Sequence, residues 1–448
     1  MKRKTFIKIA SGLVAAPLLS PMATLAQTEK LKKWGGNIEY STDKVFYPQT
    51  VDQLREMVRT KKSLKALGTK HCFNRIADSR NNLISSASMN KIINLDEKGR
   101  KITVEGGIKY GELAPWIDQK GFALHNLASL PHISVAGSIS TGTHGSGLHN
   151  GNLSTAVSAL EVVTANGDIK EVSRQKNKEQ FEGTVVGLGA LGWITKVTLD
   201  LQPRFDMKQY VFEKLPLAQV KEHFDEIMGA GYSVSLFTDW AAETINEVWI
   251  KCRTSGDADY HGKPDFFGAS AATKNMHPIA SLSAENCTEQ MGVAGPWFER
   301  LPHFKMGFTP SSGKELQSEY FVPHQHAVEA ILAVQKLGKK ISPLLFITEI
   351  RSIAADELWM SPCYKRDAIT IHFTWKQEWN SVKQLLPEIE KALAPFKPRP
   401  HWGKLFTITP EALASRYERM DDFKKLVSQY DPGGKFRNDF LNTNLLLT

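Results

Sequence analysis

The chain has 448 residues, 42% hydrophobic, 9% aromatic and 23% charged, and reads as an ordinary soluble globular protein with core enough for two domains. Beyond the N-terminal leader no apolar run approaches the roughly 18 residues a membrane helix needs. Four of the 56 basic residues lie in that leader, which leaves 52 Lys+Arg against 47 Asp+Glu, a net +5 with no long basic block, so nucleic-acid binding is disfavoured.

The leader, residues 1–26, has a basic start, an apolar middle and small residues before Ala26, the pattern of a secretory signal peptide. Its Arg3-Lys4-Thr5-Phe6-Ile7-Lys8 run is similar to a twin-arginine export signal with one arginine replaced, against the plainer reading of a general secretory signal. Either predicts an exported protein, periplasmic or secreted, with no stable membrane insertion once the leader is removed. The four cysteines, Cys72, Cys252, Cys287 and Cys363, form no CxxC pair and no metal pattern, and are expected as buried or unpaired thiols.

After a Lys-rich spacer, TVDQLREMVRTKKSLKALG predicts a helix and a short strand, with Thr50 and Gln53 placed as a capping box. LGTKHCFNRIAD then holds His71 on a turn at the strand's end; taken alone, such a histidine is most simply a solvated or hydrogen-bonded side chain. ITVEGG and GIKYGELAPWIDQKG repeat strand then helix, with Pro115 early in the helix. Residues 129–154, SLPHISVAGSISTGTHGSGLHNGNLS, carry five glycines among small hydroxyl side chains, and Ile133, Val135, Ala136 and Ile139 argue that the segment is buried. Glycine lets backbone approach a ligand closely, and successive amides can cradle phosphate oxygens, so a pyrophosphate cradle is expected here. LEVVTANGDIKEVS has the alternation and Asn-Gly turn of a hairpin. GLGALG at 187–192 matches the dinucleotide fingerprint, but the alternating run WITKVTLDLQP follows where that fingerprint needs a helix, so a Rossmann site is rejected.

From Phe205 the pattern becomes strand, helix, strand, as expected of a second domain with an antiparallel sheet and helices on one face. In LFITEIRSI, Ile347, Glu349 and Arg351 share one face; in AITIHFTW, Thr370, His372 and Thr374 share one face. If the two strands are neighbours, Glu349, Arg351, His372 and Thr374 meet; the alternative is the solvent face of an amphipathic sheet. Past Pro398 the Gly-, Pro- and aromatic-rich tail is expected to return to the first domain.

GTKHCFN, SLPHISVAGSISTGTHGSG, TEIRSIAADELWMSP, HFTW and RPHWGKLFT, in this order, resemble the alditol oxidases, flavoproteins of the vanillyl-alcohol oxidase superfamily allied to gulonolactone and arabinonolactone oxidases. The resemblance implies an α+β, two-domain fold: an FAD-binding domain over 34–204, a substrate-binding cap over 205–398, and a return to the first domain over 399–448. It implies FAD bonded covalently to His71, with Cys72 not a second link, and further FAD contacts from Ala66, Leu67, Gly68, Thr69, Lys70, Cys72, Ser129, Ser134, Gly137, Thr141, Gly142, Thr143, His144 and Ile194. No metal is implied.

The resemblance also implies that Ser129, Glu349, Arg351, Thr374 and Lys404 bind a polyol and that His372, Lys404, Arg351 and Glu349 carry the chemistry. The reaction expected is oxidation of an alditol's terminal primary alcohol to the aldose, with O2 as acceptor and H2O2 as product, by a monomer. A neutral histidine suits removal of the hydroxyl proton, which points to His372, with Arg351 and Lys404 the alternative carriers of that proton. Lys404 suits stabilisation of the negative charge that develops on the reduced flavin, and Glu349 suits holding Arg351 and a substrate hydroxyl. The alternatives are an aldonolactone oxidoreductase and a dehydrogenase using another electron acceptor.

Overall fold

The computed structural model describes residues 31–307 and 314–446, so the leader expected over residues 1–26 lies outside the described residues. Near the N-terminus the helix Val51–Thr60 starts where expected: Thr50 Oγ1 accepts from the Gln53 amide at 3.2 Å. Gln53 completes the box one residue early, its Oε1 accepting from the Gln49 amide at 2.9 Å. The strand Lys65–Leu67 follows and pairs in parallel with Leu83–Ser85.

A five-stranded antiparallel sheet comes next, in the order Ile92–Asp96, Lys101–Glu105, Trp193–Asp200, Val157–Val163, Ile169–Ser173. The last two are the expected hairpin, with Gly167 at φ 80°. The segment after GLGALG is the strand Trp193–Asp200, central in this sheet, so no helix N-terminus follows the glycines.

The second sheet has ten strands. Its principal members run, in spatial order, Asp206–Pro216, Thr244–Arg253, Ser233–Thr238, Leu345–Ile353, Ala368–Lys376, Glu315–Pro323 and Arg399–Pro400, all antiparallel. Helices Leu217–Met228, Ala327–Gln335 and Trp379–Leu393 lie over one face, on which Ile350, Ile371, Phe373 and Trp375 are buried in the main core. The polar alternates therefore face the other way. The tail adds the edge strand Arg399–Pro400 to this sheet and then runs to the N-terminal part: the Leu64 amide donates to Lys435 O at 3.0 Å, and Asn438 Nδ2 donates to the carbonyls of Ile76 and Asp78 at 3.0 and 2.8 Å. All four cysteines are free thiols, three of them buried.

Candidate active site

One continuous cavity is lined by the His71 turn, the glycine segment, the polar face of the large sheet and the loop His401–Lys404. At the first of these, Lys70 takes φ 67°, the left-handed region, which costs a residue with a side chain on the order of 1 kcal/mol. That turn sets His71 in the cavity wall. Its ring stacks on Trp34 at 5.2 Å between centroids, and its Nδ1 lies 3.1 Å from Thr69 Oγ1. Its Nε2 is buried without a hydrogen-bond partner. Burial draws the imidazole down to about 4, so it is neutral at pH 7.

The glycine segment holds a short helix, Val135–Ile139, followed by turns that return Thr141, Thr143 and His144 to the cavity. Every residue expected at the site lines the cavity except two. Ser134 is turned behind the wall: a Cβ built on Gly68 or on Gly137 would meet its Oγ at 2.9 Å, so this hydroxyl occupies the space between the two glycines. Gly142, at φ 67°, backs onto Pro362 instead of the cavity. An unpartnered buried imidazole nitrogen beside backbone without side chains fits a flavin nucleotide. Leu188 and Gly189, from the rejected fingerprint, line this cavity through a loop, as does Lys65, whose buried ammonium donates to Gly189 O at 2.8 Å and Phe436 O at 3.1 Å.

The two strands singled out in the sequence are neighbours. Glu349 stands opposite His372 and Arg351 opposite Thr370, and the register irregularity between Leu345 and Ile347 ends before these pairs. A third strand, Glu315–Pro323, lies on the other side of Ala368–Lys376 and places Glu319 opposite His372 and Gln317 opposite Thr374. Sequence reasoning missed Glu319, although Glu315, Gln317 and Glu319 in ELQSEYFVP carry the same alternation. It also missed His303 and His401, which sit in loops with no periodic signal.

Glu319 is the centre of charge. Its Oε1 accepts from Arg351 Nη2 at 2.7 Å and lies 3.1 Å from His144 Nε2, while Oε2 accepts from Lys404 Nζ at 2.7 Å. Burial alone would raise its pKa, but Lys404, His144 and Arg351 together hold the carboxyl well below the usual range. Glu349 is similarly ionised: burial opposes, and Arg351 and His303 prevail. Its Oε1 is 2.7 Å from His303 Nε2 and its Oε2 is 3.6 Å from Arg351 Nε. Arg351 Nη1 also reaches Ser129 Oγ at 3.5 Å.

His372 Nε2 is 3.1 Å from Gln317 Oε1, and Gln317 is oriented by its own Nε2 donating to Glu315 Oε1 at 2.6 Å. An amide oxygen only accepts, so His372 carries its proton on Nε2 and its lone pair on Nδ1. Burial, then Lys404, holds this imidazole at about 4. Burial also lowers Lys404, against the pull of Glu319. Two carboxylates, two fixed cations and a neutral base thus share one cavity wall, an arrangement that can bind a hydroxylated molecule and accept a proton from it.

Two family models match the chain: an FAD binding domain over residues 42–173 and a D-arabinono-1,4-lactone oxidase model over 309–444. Among curated proteins, the chain is 45% identical to an alditol oxidase of Streptomyces sp., over 91% of this chain and 97% of that one. It is 27% identical to an L-gulono-1,4-lactone dehydrogenase of Mycobacterium tuberculosis, over 88% and 92%, and 25% identical to the L-gulonolactone oxidase of Bos taurus, over 92% and 97%. Among solved structures, cholesterol oxidase from B. sterolicum superposes with a TM-score of 0.76 at 14% identity, covering 96% of this chain and all of that one, a likeness of fold.

Proposed function

The chain belongs to the alditol oxidase and lactone oxidase family of FAD-dependent oxidoreductases, and from that premise we propose that it oxidises the terminal primary alcohol of an alditol such as xylitol or sorbitol to the aldose. The observation that carries this reading is the paired polar face: Glu349, Arg351, His372 and Thr374, with Lys404 bonded through Glu319, in the same cavity wall system as His71. A surface that offers this many fixed hydrogen-bond partners favours a substrate with several hydroxyls and penalises one that leaves them unpaired.

The His71 turn and the glycine segment would hold FAD, which would supply the hydride acceptor for the carbinol carbon and the route for the two electrons to O2, giving H2O2. The chain's own residues do the rest. His372 takes the hydroxyl proton at Nδ1 while its Nε2–H stays on Gln317. Arg351 and Lys404, held by Glu319, favour negative charge building on the alcohol oxygen as the proton leaves. Glu349 accepts from a substrate hydroxyl, and Ser129 and Thr374 supply neutral hydrogen bonds. His71, neutral and with Nε2 unpartnered, is the covalent anchor of the flavin.

An absorption spectrum of the purified protein, taken before and after anaerobic xylitol and on the acid-precipitated pellet, tests this. Bleaching of the flavin by xylitol, steady H2O2 release in air and colour retained in the pellet are the expected results. Bleaching by gulono-1,4-lactone and not by xylitol would move the substrate to the lactones, and a colourless pellet would overturn the His71 link.

A further inference from the structure

Lys251 is a buried ionisable group with no part in the reaction above. It sits inside the strand Thr244–Arg253 with 1% of its surface exposed. Its Nζ meets three acceptors: Leu301 O at 2.6 Å, Pro302 O at 3.0 Å and His303 Nδ1 at 3.1 Å. An ammonium has three N–H donors and no acceptor, so these contacts use all of them. His303 Nδ1 then bears the lone pair and the ring proton is on Nε2, 2.7 Å from Glu349 Oε1. The ring itself is wedged edge-on against Trp249 and Phe237, at 5.1 and 5.5 Å between centroids.

The same turn holds a second residue of the site. The amides of His303 and Phe304 both donate to the Ser129 carbonyl, at 3.2 and 3.3 Å. Pinning Leu301 to His303 therefore locates Ser129, whose Oγ faces Arg351, together with Glu349. Burial pushes Lys251 well below the ordinary lysine range, and Glu349, reached through the imidazole, is the main charge that works against this.

We propose that Lys251 and His303 are positioning residues, a buried strut that aims Ser129 and the Glu349 carboxylate at the substrate's hydroxyls. The strut fixes the direction of each hydrogen bond: ammonium to imidazole, imidazole to carboxylate. Glu349 Oε1 is thereby tied back, which leaves Oε2, 3.6 Å from Arg351 Nε and 3.8 Å from His372 Nδ1, to face the substrate. The inference rests on the reading of Ser129 and Glu349 as polyol contacts.

The test uses the FAD-loaded enzyme. His303→Leu removes the Nε2–H, and His303→Gln keeps an N–H close to its place. The expected result is a KM for xylitol at least tenfold higher in His303→Leu with kcat changed less than threefold, and a KM within threefold of the parent in His303→Gln. Equal behaviour of the two variants, whether parent-like or equally impaired, would overturn the proposal, since a packing role does not distinguish them. The parent's own His303 tautomer, read by ¹⁵N NMR without substrate and without any variant that must fold, is expected to be Nε2–H; an Nδ1–H tautomer or an imidazolium at pH 7 would also overturn it. A parent that has the Nε2–H tautomer but oxidises no polyol would sink the substrate reading and leave the strut in place.

Discussion

Glu319 shows how one side chain organises a site. It touches Arg351, Lys404 and His144 from a position with no exposed surface on its side chain. Two cations held on one buried carboxylate keep their geometry without solvent, and neither is free to wander as substrate enters. Removing one partner of such a group leaves the others uncompensated, typically at about 3–5 kcal/mol. Glu319→Gln is therefore expected to lower stability by that order and to reduce kcat/KM with xylitol by more than 100-fold, measured by chemical unfolding and steady-state kinetics. Unchanged kinetics in a folded Glu319→Gln enzyme would show that the ion pairs do not set the positions of Arg351 and Lys404. Glu349, Arg351, His372 and Thr374 were legible in the sequence because alternation assigns a face from local spacing alone. Glu319 carries the same local signal, but its value comes from lying beside His372, and strand order is a long-range property.

At the level of elements, the short helix Val135–Ile139 and the strand Trp193–Asp200 meet through Gly106. The Gly106 amide donates to Thr195 O at 3.0 Å, and its carbonyl accepts from the Ala136 amide at 2.9 Å. A Cβ here would meet Ile194 O at 2.7 Å and Ala136 Cβ at 2.9 Å, closer than side chains pack. Gly106→Ala must push the glycine segment away from Ile194, and both line the cavity. Overpacking of this kind costs about 1–3 kcal/mol. The expected outcome is a lower melting temperature and a reduced ratio of flavin to protein absorbance in the purified variant; full flavin loading would count against this contact as the one that shapes the cradle. The glycine density of residues 129–154 signalled close backbone approach from sequence. That Ser134 packs between Gly68 and Gly137, and does not face the cavity, depends on two segments far apart in the chain.

Across the whole molecule, Asp356 ties the end of the glycine segment to the loop that follows the strand Leu345–Ile353. Its Oδ2 accepts from Asn152 Nδ2 at 2.7 Å and Ser361 Oγ at 2.5 Å, and its Oδ1 accepts from the Leu358 amide at 2.8 Å. Burial outweighs these bonds and raises the carboxyl to about 6. A folded-state pKa above the unfolded value near 4 means that the folded protein holds its proton more tightly. The stability this contributes is complete below pH 4 and is lost as pH rises through about 6, a change of about 3 kcal/mol for roughly two units. Asp356→Asn cannot titrate, so the difference in unfolding free energy between parent and variant should shift by about that amount between pH 4 and pH 7. A difference that stays constant over this range would show that folding does not shift the Asp356 carboxyl.

The sequence by itself determined the first helix and strand, the hairpin closed by Asn166-Gly167, which faces of two strands are polar, and that GLGALG is no Rossmann turn. Each of these follows from spacing and residue type within about ten positions. Only the tertiary structure decided that Glu315–Pro323 flanks Ala368–Lys376, that Lys404 reaches Glu319 from the tail, and that Lys251 and His303 stand behind Glu349. These contacts join residues 45 to 85 positions apart, and their energies come from burial and charge pairing, which exist only once the sheets and loops have closed around the cavity.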